Sequence, residues 1–132
     1  MLPSTIQDIE KAFLQNNPKI LYSLFSSRSS INISLPEPIS FSDQLSHQQA
    51  YFLFKRTFSS YATFEFYSES KLPASPEIRN FIFKARWSFK DKKTNNQYVF
   101  HIFFYLMDEA SKKSEKLKSN WKIIEIKAER RF

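Results

Sequence analysis

Two arms of the sequence, residues 80–90 and 97–107, constrain the fold more than any other stretch. In each, every second residue is apolar or aromatic, the period-two mark of a strand that buries one face. Six residues, Asp91-Lys92-Lys93-Thr94-Asn95-Asn96, separate them. Folding the arms so that Lys90 faces Gln97 sets Phe89 against Tyr98, Trp87 against Phe100, Ala85 against Ile102, Phe83 against Phe104 and Phe81 against Leu106. One face of the hairpin is then wholly apolar and held by cross-strand pairs. A slip of one residue would turn that face to water, so the register is strongly specified.

Such a face needs cover, and the chain before it supplies amphipathic helices. Ser4-x-x-Gln7 matches a capping box, and Ile6, Ile9 and Phe13 follow at helical spacing, which predicts a helix over 5–15. Asn17 and Pro18 suit the cap and first residue of a second helix bearing Ile20, Leu21, Leu24 and Phe25. Ser46-x-x-Gln49 opens a third over 47–60, with Ala50, Leu53, Phe54 and Phe58 on its stripe and Tyr51 and Phe52 widening it. Ile31-Asn32-Ile33-Ser34-Leu35 alternates as a short strand, and 39–41 reads as its partner. Pro36 and Pro38 suit that pair to a sheet edge.

Two longer strands complete the sheet. Residues 61–70 put Ala62, Phe64 and Phe66 on one side and Thr63, Glu65 and Tyr67 on the other. After a polar loop over 108–119, residues 120–129 form the last strand. Phe104 is expected opposite Ile124, Ile102 opposite Ile126 and Phe100 opposite Ala128. The fold class is therefore α+β: three helices on a curved antiparallel sheet of four long strands, plus a short strand pair.

At 132 residues the chain is expected to be one domain, 1–132. It has 15 Phe, 6 Tyr and 2 Trp, which makes the core aromatic. It has no glycine, which excludes glycine-rich phosphate loops and leaves tight turns to Asn, Asp, Ser and Pro. It has no cysteine, which excludes disulfides, cysteine-held zinc or iron–sulfur sites and thiol nucleophiles. No stretch approaches the ~20 apolar residues of a spanning helix. Met1-Leu2-Pro3-Ser4 has neither a basic nor an apolar leader region, so a cytoplasmic protein is expected, or one whose export signal has been removed. The net charge of +7 points to an acidic partner or to a solubilising surface, and much of the excess falls on Lys92-Lys93 and the lysine-rich run at 112–118.

The stretches Ile6-Gln7-Asp8-Ile9-Glu10-Lys11-Ala12-Phe13 through Leu24-Phe25, Ser46-His47-Gln48-Gln49-Ala50 through Phe58-Ser59-Ser60-Tyr61, and Trp121-Lys122-Ile123-Ile124-Glu125-Ile126 stand in an order that resembles the nuclear transport factor two-like superfamily, the cystatin-like α+β cone. The resemblance spans nearly the whole chain and is nearest to a bacterial branch without an assigned activity. It implies a sheet wrapped round helices, a pocket at the cone mouth in some members, and frequent homodimers. Members include isomerases, dehydratases, carriers and interaction modules, so the fold does not choose among them.

The side chains narrow the choice. The expected inner face carries hydrocarbon and rings, with Tyr98 and Lys122 only near its ends, and general acid–base catalysis needs a titrating group beside the substrate. No catalytic residue, metal site or cofactor is assigned. Glu65, Glu69 and Asp108 lack a facing carboxylate, and His47 near Asp43 reads as a surface residue beside a helix cap. On the outer face Ile82, Phe103, Tyr105, Met107, Trp121 and Ile123 form an apolar area, which suggests a homodimer or a protein partner. Lys84, Arg86, His101 and Lys127 form a basic row, read as an anion site or as a solvated patch offset by Glu125 and Glu129.

The preferred reading is a non-catalytic domain that associates through its sheet. The alternative is a carrier of a hydrophobic molecule in a pocket lined by Tyr22, Tyr51, Phe54, Phe83 and Trp87. Nucleic-acid binding ranks third: the rings around Lys84-Ala85-Arg86-Trp87 point inward, and stacking on bases needs exposed rings. An isomerase-type enzyme would need a register that brings His101, Tyr105 and Glu125 inside.

Overall fold

The long hairpin forms in the expected register, from Lys90 against Gln97 to Phe81 against Leu106. A computed structural model describes residues 1–73, 75, 77–110 and 119–131 of the chain. The elements are α1 (Leu2–Leu14), α2 (Pro18–Leu24), β1 (Ile31–Leu35), β2 (Phe41–Leu45), α3 (His47–Ser60), β3 (Tyr61–Ser68), β4 (Asn80–Asp91), β5 (Gln97–Asp108) and β6 (Trp121–Arg131). The lysine-rich run at 112–118 lies outside the described residues.

The strands make one six-stranded sheet in the order β2-β1-β6-β5-β4-β3. The short pair is thus joined to the long strands, through a parallel pairing of β1 with β6 that sets Ile33 against Ile126. Only β2 takes the edge position expected of the pair. That strand lies at Phe41–Leu45, not at 39–41, because Pro36 to Ser40 are spent in the turn.

Without glycine, left-handed backbone falls on Asn16, Ser40 and Asn95 among the described residues. Asn16 closes α1: its N–H bonds to Phe13 O at 3.1 Å and the N–H of Asn17 to Ala12 O at 2.8 Å, a Schellman motif with Asn in the usual glycine position. The Asn16 side chain then donates to the carbonyls of Phe58 and Tyr61 and accepts from Thr63 N–H, tying α1 to the junction of α3 and β3. At the hairpin turn Asp91 Oδ1 accepts from the N–H groups of Lys93 and Thr94.

The helix starts differ in how well they follow the sequence. Asn17 caps α2, and Ser46 with Gln49 caps α3 reciprocally, as expected. Helix α1 starts earlier, at Leu2. Pro3 sits well in a first turn, and Met1 O accepts from Thr5 N–H and Ser4 Oγ, so the Ser4–Gln7 box goes unused.

Two β-bulges decide which side chains face inward. In β3, Thr63 lies opposite Phe89 and Glu65 opposite Ser88, so Phe64 is an extra residue. It is 52% exposed, whereas Thr63 turns inward and accepts a hydrogen bond from Trp87 Nε1 at 2.8 Å. The expected inward Phe64 is thereby corrected. In β6, Tyr105 lies opposite Glu125 and Leu106 opposite Ile123, which makes Ile124 the extra residue. Past this bulge Phe104 faces Ile126, Ile102 faces Ala128 and Phe100 faces Arg130, two residues away from the expected register. A bulge reverses the in-and-out alternation on one side of itself. Trp121 and Ile123 therefore join the core instead of the outer face, and the end of α2 docks there through Ser26 N–H to Ile123 O at 3.0 Å.

The core lies between the helices and the inner sheet face. Phe13 is fully buried at its hub, with ring centroids 4.6–5.9 Å from those of Phe54, Phe58, Phe66, Trp87 and Phe104. Most of these contacts are edge-to-face, the arrangement the ring quadrupole favours.

Candidate functional site

The interior between the helices and the sheet is packed with rings and aliphatic side chains. Among the described residues the buried polar ones, Thr5, Ser26, Thr57 and Ser88, are all hydroxyls. Trp87, Phe83 and Phe54 are fully buried among other rings. Tyr22 and Tyr51 are not with them. They lie on the outside of α2 and α3, with centroids 5.3 Å apart, and Tyr22 stacks on His47 at 5.5 Å. The five expected pocket residues therefore divide between core and surface, with Phe13 packed against Phe54 and Trp87. His47 is engaged by Tyr22, while Asp43 accepts from Gln44 N–H.

A cleft does open at one end of the sheet. Its volume is about 580 Å³, and Met1, Leu2, Leu72, Pro73, Ile78 and Trp121 supply its apolar lining. A second hollow of about 230 Å³ shares Pro3 and Leu72 with it and runs along α1 past Ile6 to Gln7 and Glu10. Sequence reasoning missed this site. Its walls come from the first turn of α1 and from irregular chain around residue 72, neither of which carries a periodic signal.

The outer face of β4, β5 and β6 is mixed. Ile82 pairs with Tyr105 and Asn80 with Met107; Ile82 is 52% and Met107 38% exposed. Phe103 lies between Lys84 and Lys127, and the Lys84 ammonium sits 5.6 Å from its ring centroid. The apolar patch is thus Ile82, Phe103, Tyr105 and Met107, without the buried Trp121 and Ile123.

The basic row is rearranged by the same bulge. His101 faces Arg86 as expected, but on its other side stands Glu129 instead of Lys127. His101 Nδ1 is 2.8 Å from Glu69 Oε1, and its Nε2 is 3.4 Å from Arg131. Glu65 accepts from Ser88 Oγ and lies 3.7 Å from Arg86 Nε. Glu65 of β3 and the adjoining Glu69 thus stand beside Arg86 and His101, where an anion would have been held, while Lys84 and Lys127 flank Phe103. Among the described residues no cluster of His, Asp and Glu has metal-site geometry, and no helix is long and apolar enough to cross a membrane.

One tyrosine has a perturbed phenol. Partial burial, then the charge of Asp91 and the neighbouring Tyr98, push Tyr61 above its ordinary value, and its hydroxyl donates to Pro38 O at 3.4 Å.

No family model matches the sequence, and no curated protein matches it. Solved structures do match its fold. A ketosteroid isomerase-like protein from Erwinia carotovora atroseptica superposes with a TM-score of 0.66 at 11% identity, over 97% of this chain and 92% of that one. An NTF2-like protein of unknown function in nutrient uptake from Rhodospirillum rubrum gives 0.65 at 7% identity, over 100% and 99%. A candidate calcium/calmodulin-dependent kinase II association domain from Exiguobacterium sibiricum gives 0.63 at 11% identity, over 99% and 91%. At such identities the likeness is one of fold. This chain has the nuclear transport factor two-like, cystatin-like α+β cone fold.

Proposed function

We propose that the chain is a non-catalytic cone domain that acts by association, first of all with a second copy of itself, through the outer face of β4, β5 and β6. The observation that carries this reading is the cross-strand pair of exposed Ile82 and half-buried Tyr105, continued by half-buried Phe103 and exposed Met107. A contiguous apolar area on a sheet face is a partner surface by its physical character. The charges bordering it have both signs: Lys84 and Lys127 against Glu125 and Glu129. Under two-fold symmetry each copy can set its lysines against the carboxylates of the other. The hydroxyl-only set of buried polar groups speaks against acid–base catalysis in the interior.

Light scattering across a concentration series tests it, on the wild type, Ile82→Lys and Tyr105→Glu. The wild type is expected to be a dimer, and both variants monomers with unchanged circular dichroism. A monomeric wild type at the highest concentration, indistinguishable from Tyr105→Glu, overturns the proposal.

The cleft beside α1 favours a second reading, a carrier of a hydrophobic or amphipathic small molecule. Its 580 Å³ falls within the usual size of small-molecule sites, and its lining is largely apolar. Native mass spectrometry of protein from its own source tests this. A co-purifying mass that is lost in Leu2→Glu is the expected result, and a bare polypeptide mass refutes it.

A further inference from the structure

Some of the positive charge of this molecule stands on a face whose helices carry no carboxylate. On the sheet face Arg86 has Glu65 beside it and His101 has Glu69, and Arg79 has Asp108. The helices α2 and α3 contain no acidic residue at all. The acid-free stretches are longer than the helices: no Asp or Glu occurs from residue 11 to 36 or from 44 to 64. Lys19, Lys55 and Arg56 are exposed within them and form no ion pair among the described residues. Lys122 reaches the same face from β6, its Nζ donating to Ser23 O at 2.7 Å.

Rings are exposed among these cations. Tyr22 is 38% exposed and lies against both His47 and Tyr51. Tyr51 meets Phe52 edge-on at 5.3 Å, and Phe52 is 61% exposed. Helical spacing puts a cation beside each ring: Lys19 one turn before Tyr22, Lys55 one turn after Tyr51 and Arg56 one turn after Phe52. Along β4 the rings next to Lys84 and Arg86, Phe83 and Trp87, are buried, and the exposed Tyr67 lies beside Arg86, a cation that already has Glu65 next to it.

We propose that the α2–α3 face binds single-stranded nucleic acid. Bases stack on Phe52 and on the Tyr22–Tyr51 pair, while Lys19, Lys55, Arg56 and Lys122 meet the phosphates. Rings interleaved with cations are what single strands require, since their bases have free π-faces and their backbones are anionic. A duplex hides its bases and would use the charge alone. This inference concerns a different face from the proposed self-association and does not rest on it.

The test is fluorescence anisotropy with labelled 12-mers of dT and rU, a 12-bp duplex and vesicles of one part anionic to three parts neutral lipid. The wild type is expected to prefer the single strands. Its log–log salt slope is expected to be about −2 to −3, given roughly −0.7 per phosphate neutralised on a single strand. Phe52→Leu keeps the apolar bulk but lacks a π-face, and should weaken binding roughly ten-fold, while Phe52→Tyr should retain it. Melting curves are taken for both variants, and the exposure of Phe52 leaves the core intact in each. Equal binding by Phe52→Leu and Phe52→Tyr, tighter binding of the duplex, vesicle binding that oligonucleotide does not displace, or no single-strand binding at 50 mM salt would each overturn the proposal.

Discussion

Replacing Phe13 by alanine probes the packing on which the filled interior depends. The ring is fully buried and surrounded by five others, which are anchored on α3, β3, β4 and β5. With its neighbours fixed on four elements, the site has little freedom to collapse. A void of roughly 100 Å³ at about 24 cal/mol per Å³ contributes about 2.4 kcal/mol. The lost transfer free energy of the side chain adds about 2 kcal/mol. The expected loss is therefore about 4–5 kcal/mol, near the upper end for Phe→Ala changes. For a chain of this size that corresponds to a fall in Tm of roughly 12–20 °C. Urea denaturation followed by far-ultraviolet circular dichroism measures it. A dry apolar hole should also accept benzene, and at a hundred times its Kd benzene should restore about 2.7 kcal/mol. A loss below about 2 kcal/mol with no response to benzene would refute the ring cluster as described.

Three further perturbations test separate features. Thr63→Val leaves the buried indole N–H of Trp87 without its acceptor and should cost about 1–3 kcal/mol, whereas Thr63→Ser should stay near wild type in the same urea titration. Deleting Ile124 removes the extra residue of β6 and should leave a regular ladder with Trp121 and Ile123 still buried, whereas deleting Lys122, outside the bulge, puts Trp121 in its outward place and should cost about 1.5–3 kcal/mol more; equal stability of the two deletions would contradict the assigned register. The folded pKa of Tyr61 is raised, so the unfolded chain loses this proton first, from about pH 10. The contribution is intact below that pH and falls as pH rises towards the folded value. Urea midpoints at pH 8 and 10.5 should therefore differ less for Tyr61→Phe than for the wild type, and equal differences would count against the assignment.

The hairpin was legible because every second residue of both arms, from Phe81 to Phe89 and from Tyr98 to Leu106, is apolar or aromatic, so a single register satisfies every pair. Caps at Asn17 and Ser46 were legible because they rest on local chemistry that tertiary contacts did not override. The final strand was misaligned because Ile123 and Ile124 are adjacent apolar residues, and sequence alone does not say which of two such neighbours is the bulge. Phe64 failed for a related reason: hydrophobicity argued for burial, but Thr63 had the hydroxyl that the buried Trp87 N–H required. Phe52 was read as a wider helix stripe, when its exposure is the informative fact. The cleft at the end of the sheet left no trace in the sequence, since irregular chain builds much of it.

The parallel pairing of β1 with β6 has a consequence for biosynthesis. Strand β6 is made after both strands it stands between, shortly after β5 on one side and long after β1 on the other. Until it emerges from the ribosome, both of those strands present open hydrogen-bonding edges, and the rings meant for Ile126 and Ile123 have nothing to close on. Closure must then join segments about ninety residues apart, a slow kind of contact to form. A nascent chain of this protein would be most prone to stick to its neighbours in the interval before β6 is made.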